Sequence, residues 1–444
     1  MKKLVVLLFG CFFIFSNMFT IFAANFYQDE LNCDSIYVVG KESNMAVVEK
    51  NIDKKRSPAS LTKIMTYLVS KEIIKDINNE KVTVKKEILD KVDPESSGCV
   101  LKEGEEFTPC ELFHGMLISS SGYAAMVLAD YAGNGIENFV NLMNEKARYL
   151  GCENTNFANP DGIYNEAQYT TARDMYLITR EAMKDPLFLD IVNKIEYNMF
   201  GDGRDPIITT NKMIDKKRGG EYYLSYVKGI KTGYVDEAGR CLISYAEKDN
   251  NTYITVAMGG PTKDENGNYI DKNMAMVDTK NIYLWAFQNL KKVKLFPSNF
   301  PVKEIKLGLV KSSDKLLLSP QSDFYLNLPS DVSKDDISIN FDVPEAIDAP
   351  IEAGKVLGKA YVFYKDERVG SFNLISTQTF KKNYFLLILR WLDSIVSSPV
   401  FMFLVVVLGV FVILYIRVCF FKYKSKKRRN KIKNFKKYKN KFKK

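Results

Sequence analysis

Residues 399–416, PVFMFLVVVLGVFVILYI, carry no charged side chain, and the chain beyond them turns abruptly basic. At a rise of about 1.5 Å per residue, such a helix nearly crosses a hydrocarbon layer about 30 Å thick. VCFF, just past Arg417, lengthens the run, so a transmembrane helix is expected over 399–421. Of the chain's 63 Lys and Arg, 15 fall in residues 417–444, which hold no Asp or Glu. The remainder has 48 basic against 53 acidic residues, so the formal charge of +10 belongs to the tail. A basic block directly after a span marks the cytoplasmic side. Its expected partner there is the anionic lipid headgroup rather than nucleic acid.

The other end agrees. MKKLVVLLFGCFFIFSNMFTIFAA places Lys2 and Lys3 before a long apolar stretch that ends in small residues, the pattern of a signal peptide over 1–23. Residues 25–398 are then expected outside the cell. Just before the span, residues 385–398 begin with FLLILRWLDSIV, which is amphipathic and suited to the membrane surface.

Between the two signals the patterning divides in two. SIYVVGKESNMAVVEK (35–50) reads as a β-hairpin. Leu61, Ile64, Met65, Leu68 and Val69 then recur at helical spacing, which predicts a helix from about Ser60 with one buried face. Residues 108–150 and 171–185 read as further helix. YLSYVKGIKTG and CLISYAEKDNNTYITVAMGG follow as strands, with a turn at Asp249–Asn251, and a helix closes this part near residue 290. Strand hairpin, helical block, then strands make an α+β domain, helices packed on an antiparallel sheet, over 25–292. Short strands punctuated by Pro, Gly and Asp predict a small β-sandwich over 297–377, with the basic tail at 422–444.

The seven cysteines do not form a disulfide framework: Cys11 and Cys419 lie in the apolar ends, and the other five are unevenly spaced. No CxxC occurs, and the chain has one histidine, which gives no ligand set for zinc. No metal and no cofactor are expected.

That histidine, His114, sits in an apolar helical stretch, where packing explains it better than service as the base of a Ser-His-Asp triad. A serine enzyme built from this chain needs lysine as its base. Ser-x-x-Lys occurs three times, at Ser60/Lys63, Ser225/Lys228 and Ser312/Lys315. Ser312 lies in a polar turn. Ser225 and Lys228 fall in a predicted strand, where residues three apart face opposite ways. Only Ser60 and Lys63 combine helical spacing with a helix start, where first-turn N–H groups favour developing negative charge. A second constellation, Lys231-Thr232-Gly233, is unique in the chain. On a strand it offers a cation, a hydroxyl and a position open to close backbone approach, against which a peptide ending in carboxylate could lie.

Ser60-x-x-Lys63, the serine-rich ISSSGYAAM and Lys231-Thr232-Gly233 follow the order found in penicillin-recognising serine enzymes. With EKNIDKKRSPASLTKIMT, SSGCVLKEGEEFT, NPDGIYNEAQYTTARDM, GIKTGYVDEAGRCLI and APIEAGKVLGKAYV, the chain resembles the secreted D-alanyl-D-alanine carboxypeptidases, the low-molecular-mass penicillin-binding proteins, from about residue 33 to 378. The resemblance implies a penicillin-binding/β-lactamase-like transpeptidase domain followed by the small all-β domain. It implies a hydrolase acting on peptidoglycan stem peptides and inhibited by β-lactams. By it, Ser60 is the acyl nucleophile, Lys63 the general base and Ser120 a proton relay, while Lys231, Thr232 and Gly233 bind substrate.

Two departures stand out. Gly122 occupies the place of the family's Ser-x-Asn asparagine, and a shift by one to Ser121-Gly122-Tyr123 lacks it too. An arginine common on the strand after Lys-Thr-Gly has Thr252 as its apparent equivalent, with Arg240 nearby but out of alignment. A member that binds peptidoglycan or penicillin without turnover is the alternative these departures raise. A β-lactamase fits less well, because of the β domain and anchor.

Overall fold

The computed structural model of the chain describes residues 30–329, 332, 336–364 and 367–441; the expected signal peptide at 1–23 lies outside them. Two compact units emerge. One runs through Ser298 and adds Ser322–Phe341 and Ala360–Phe372; the other comprises Asn299–Gln321, Asp342–Lys359 and the chain from Asn373 onward.

In the first unit, strands β1 (Ser35–Gly40) and β2 (Met45–Lys50) form the expected hairpin. A 3-10 turn at Ala59–Thr62 leads into α1 (Lys63–Ile73). The helical block follows. β3 (Val82–Thr83), α2 (Lys86–Leu89) and β4 (Glu106–Phe107) precede α3 (Pro109–Ile118), α4 (Gly122–Gly133) and α5 (Ile136–Tyr149). Next come α6 (Ala172–Ala182), α7 (Pro186–Val192) and the short strands β5 (Glu196–Tyr197) and β6 (Ile207–Ile208). β7 (Val227–Val235), β8 (Gly239–Lys248) and β9 (Asn251–Gly260) then complete a five-stranded sheet in the order β2-β1-β9-β8-β7, before α8 (Met274–Asn289).

Both faces of this sheet are covered, which is why its strands read as nearly continuous apolar runs. Alternate residues serve opposite cores. Tyr37 and Val39 on β1, Ile243 and Tyr245 on β8, and Ile254 and Val256 on β9 pack with the helical block. Ile36, Val38, Leu242, Ala246, Tyr253 and Ala257 pack with Ile282, Tyr283 and Ala286 of α8. The helical layer is centred on α1 and the turn before it; of the residues picked out by periodicity, Leu61 in the turn and Ile64, Met65 and Val69 on the helix are buried, and Leu68 is half-buried.

Capping explains where α3 starts. Thr108 Oγ1 accepts from the Glu111 N–H at 3.1 Å, and a Glu111 carboxylate oxygen accepts from the Thr108 N–H at 2.7 Å, a reciprocal capping box followed by Pro109. Thr108→Ala is expected to lower stability by about 1 kcal/mol. Denaturant titration checks this; an unchanged midpoint would remove the box from the list of stabilising contacts.

The C-terminal region is all-β before its last two helices. In the first unit β10 (Leu290–Phe296) pairs antiparallel with a later strand, Phe324–Pro329. In the second unit β11 (Lys303–Gly308) pairs antiparallel with β12 (Lys315–Pro320). The Phe324–Pro329 strand is β13, and β14 (Ile337–Asp342) and β15 (Ala346–Asp348) follow; β15 pairs parallel with β11. β16 (Val356–Tyr364) and β17 (Glu367–Ser376) complete the strands. The amphipathic segment forms α9 (Tyr384–Val396), and Arg390 on it pairs with Asp348 at 2.7 Å. α10 (Pro399–Lys441) carries the uncharged run with its large apolar side chains exposed, and is long and apolar enough to cross a membrane.

Candidate active site

The chain enters α1 through a constrained corner. Ala59 holds a left-handed backbone (φ +48°), and Thr62 Oγ1 donates to the Ala59 carbonyl at 2.8 Å. Sequence periodicity predicted α-helix from Ser60, but the α-helix begins at Lys63 and Ser60 lies in the 3-10 turn before it. In a tighter turn, side chains three apart eclipse one another. Ser60 and Lys63 accordingly meet: Lys63 Nζ donates to Ser60 Oγ at 3.0 Å. The same amine donates to the Asp161 carbonyl. Lys63 is only 2% exposed. Burial pulls its pKa down to about 8, with the Asp161 charge opposing the shift. An amine shifted this far towards neutrality and within hydrogen-bond reach of a serine hydroxyl has the geometry a general base needs once it gives up its proton.

Gly162 closes the corner from the loop between α5 and α6. Its φ is +90°, and a Cβ there would lie 2.1 Å from the Ala59 carbonyl oxygen and 2.9 Å from the Ser60 nitrogen. Only glycine lets this loop press so closely on the serine.

The turn between α3 and α4 supplies the next residue. Ser120 has a left-handed backbone (φ +68°) and is buried. Its hydroxyl lies 2.8 Å from Lys231 Nζ, whereas the Ser121 hydroxyl donates to the Cys99 carbonyl at 2.5 Å and caps α4. The two possible alignments of the serine run are therefore not equivalent: Ser120 faces the pocket and Ser121 is consumed in holding the helix.

Lys231 and Gly233 stand opposite Ile243 and Cys241, both of the helix-side core, so they face the serine across the sheet edge. Lys231 Nζ also donates to the Thr232 carbonyl at 2.8 Å. Burial and repulsion from Lys63 hold its pKa well below the usual lysine value. A Cβ on Gly233 would come within 3.3 Å of the Ser60 nitrogen, so β7 runs directly beside the serine's backbone N–H. Thr232 Oγ1 meets Thr210 Oγ1, a residue the sequence reading passed over. Five residues singled out from the sequence thus converge on one site, Ser60, Lys63, Ser120, Lys231 and Gly233, whereas Thr232 stands opposite Leu242 of the α8-side core and its hydroxyl meets Thr210.

The rest do not join it. Thr252 pairs with Glu247 at the hairpin end of β8 and β9, away from the Lys-Thr-Gly register. Arg240 pairs with Tyr234, one residue past Gly233, a register that follows from counting back from the Asp249–Asn250 turn. Its guanidinium donates to the Asp271 carbonyl at 2.9 Å and the Tyr269 hydroxyl at 2.6 Å. His114 is buried, stacked on Tyr197 at 3.8 Å, and its pKa is lowered by burial. Ser225 precedes β7, and Lys315 pairs with Glu304 at 2.8 Å. Among the described residues no group of three His, Cys, Asp or Glu is placed to hold a metal. The six cysteines among them are free thiols.

Comparison with known proteins follows the same lines. A family model described as D-alanyl-D-alanine carboxypeptidase matches residues 23–262, and one described as the penicillin-binding protein 5 C-terminal domain matches 290–382. D-alanyl-D-alanine carboxypeptidase DacF of Bacillus subtilis is 27% identical over 363 residues, covering 80% of this chain and 88% of that protein. DacA of Escherichia coli K12 is 27% identical over 339 residues, covering 74% and 79%. The crystal structure of penicillin binding protein 5 from Haemophilus influenzae matches with a TM-score of 0.68 at 24% identity, covering 80% of this chain and 98% of that one. With more than half of its length matched by the first model and its pocket built from the motifs quoted above, the chain belongs to the D-alanyl-D-alanine carboxypeptidase family of serine peptidases.

Proposed function

We propose that this protein removes the terminal D-Ala from peptidoglycan stem pentapeptides through an acyl-enzyme on Ser60, and so limits cross-linking. The observation that carries the reading is the buried amine of Lys63, 3.0 Å from Ser60 Oγ, with its pKa drawn down to about 8. Lys63 takes the Ser60 proton as Oγ attacks the carbonyl carbon of the penultimate D-Ala. The tetrahedral oxyanion forms beside the Ser60 N–H and β7. One such donor is worth roughly 10²–10³ in rate. As the intermediate collapses, the departing D-Ala amine takes a proton that Lys63 received, with Ser120 and Lys231 close enough to relay it. Water then attacks the ester, again with Lys63 as base, and frees Ser60. Lys231, Thr232 and Gly233 hold the substrate's terminal carboxylate along the edge of β7. β-Lactams acylate the same serine.

The apolar helix and the basic tail support a membrane location. α10 spans the cytoplasmic membrane with its basic tail inside, against anionic headgroups, and the catalytic domain works outside.

The test uses the full-length protein in detergent with diacetyl-Lys-D-Ala-D-Ala, following free D-Ala and fluorescent penicillin labelling together. Release by wild type and none by Ser60→Ala is the expected result; undiminished release by the variant would sink the assignment. Gly122 favours a second reading, acylation without turnover, which labelling of Ser60 with no free D-Ala would establish.

A further inference from the structure

Gly122, where the chain departs from its family, is not an open gap. A Cβ there would lie 2.6 Å from Ser96 Oγ and 2.7 Å from Ser96 Cβ, with Asp161 Oδ2 at 3.5 Å. The segment that carries Ser96 is laid against the start of α4. The Gly122 N–H donates to the Ser97 carbonyl at 3.1 Å, and the Cys99 N–H to Ser119 Oγ at 3.3 Å. Ser96 Oγ in turn donates to Asp161 Oδ2 at 3.3 Å. Asp161 is 5% exposed, and its main-chain carbonyl is the one that accepts from Lys63 Nζ. A carboxylate from the α5–α6 loop therefore reaches the space that a side chain at residue 122 would fill, and it belongs to the residue that holds the base.

We propose that Asp161, held in place by Ser96, is a positioning residue for Lys63 and takes the place of a side chain at residue 122, where the family's asparagine would stand. Its carbonyl fixes the direction of the amine. Its carboxylate favours the ammonium that forms when Lys63 takes the Ser60 proton. This rests on the reading of Ser60 as nucleophile and Lys63 as base. The charged groups facing Lys63 are Asp161 from the loop and Lys231 from β7. Lys231 works against the ammonium, so Asp161 is the group that offsets it. Ser96 also explains why residue 122 is glycine, since any larger side chain would collide with it.

The test is the rate of acylation by fluorescent penicillin as a function of pH, on the full-length protein in detergent. Asp161→Asn keeps both the side-chain shape and the main-chain carbonyl. Removing the negative charge lowers the Lys63 pKa, so the rising limb of the profile is expected to move at least about half a unit to lower pH, with label still confined to Ser60. A midpoint that does not move would overturn the proposal, because a merely structural role leaves the titration of the base alone. Should Asp161→Asn fail to fold, Gly122→Asn is read alone and with Ser96→Gly. The double variant is expected to label at least about tenfold faster than the single one, and equal rates would overturn the exchange of roles. Wild type unlabelled at Ser60 would overturn both this and the nucleophile assignment, whereas an unmoved midpoint overturns this one only.

Discussion

Lys63→Ala is expected to slow acylation of Ser60 by penicillin by about 10³-fold at pH 7 while leaving the protein folded. A positioned base contributes roughly 10²–10⁴ in rate, and the other nearby amine, Lys231, is hydrogen-bonded to Ser120 and the Thr232 carbonyl rather than to Ser60. Stability should move the other way. Lys63 is buried and holds a proton poorly, so the folded state carries a desolvation cost that alanine removes. A variant that is nearly dead yet melts no lower than wild type is the signature of a residue kept for chemistry. Stopped-flow acylation with a thermal melt on the same sample checks both halves. Acylation within tenfold of wild type would show that another group takes the proton.

The second large effect belongs to Gly162. Alanine there must adopt φ +90° and place its Cβ 2.1 Å from the Ala59 carbonyl oxygen, which is backbone and cannot swing aside. The conformational cost is about 1–2 kcal/mol, and the forced shift of the neighbouring turn adds about 1–3 kcal/mol. That turn presents the Ser60 N–H, so acylation should fall roughly 10²-fold as the donor moves. Gly104→Ala is the matched control. Its φ is +80° but nothing lies within 4 Å of the added carbon, so it should show the conformational cost without the loss of rate. Denaturant midpoints and acylation rates for the pair separate the two contributions. Equal rates in both variants would mean that the Gly162 contact does not set the position of the serine.

Much of this was legible in the chain. The period-3.6 stripe of α1 and the Asp249–Asn251 turn are local signals, and local signals predicted the helix and the β8–β9 hairpin. The Ser60–Lys63 contact and the placing of Lys-Thr-Gly on a strand were visible because the spacings that suggested them are local. The parts that escaped are contacts between distant segments. Ser96 and Asp161 meet at Gly122 only because two loops cross the start of α4, and no spacing encodes that. Thr210 meets Thr232 for the same kind of reason. Register was not legible either: Thr252, read as standing where the family has an arginine, lies at the hairpin end of β8 and β9, and Arg240 pairs with Tyr234 beside the Lys-Thr-Gly strand. The 3-10 start of α1 also escaped, since the apolar stripe is the same for either helix and the tightening follows from the corner at Ala59.

Ser120 and Lys231 meet across 111 positions of sequence, and Ser60 reaches the same pocket from a third segment. No single stretch of the chain holds all of these residues. The site therefore exists only when the sheet edge, the α4 turn and the Ser60 corner have all docked. A covalent penicillin adduct on this protein then counts molecules that have finished folding.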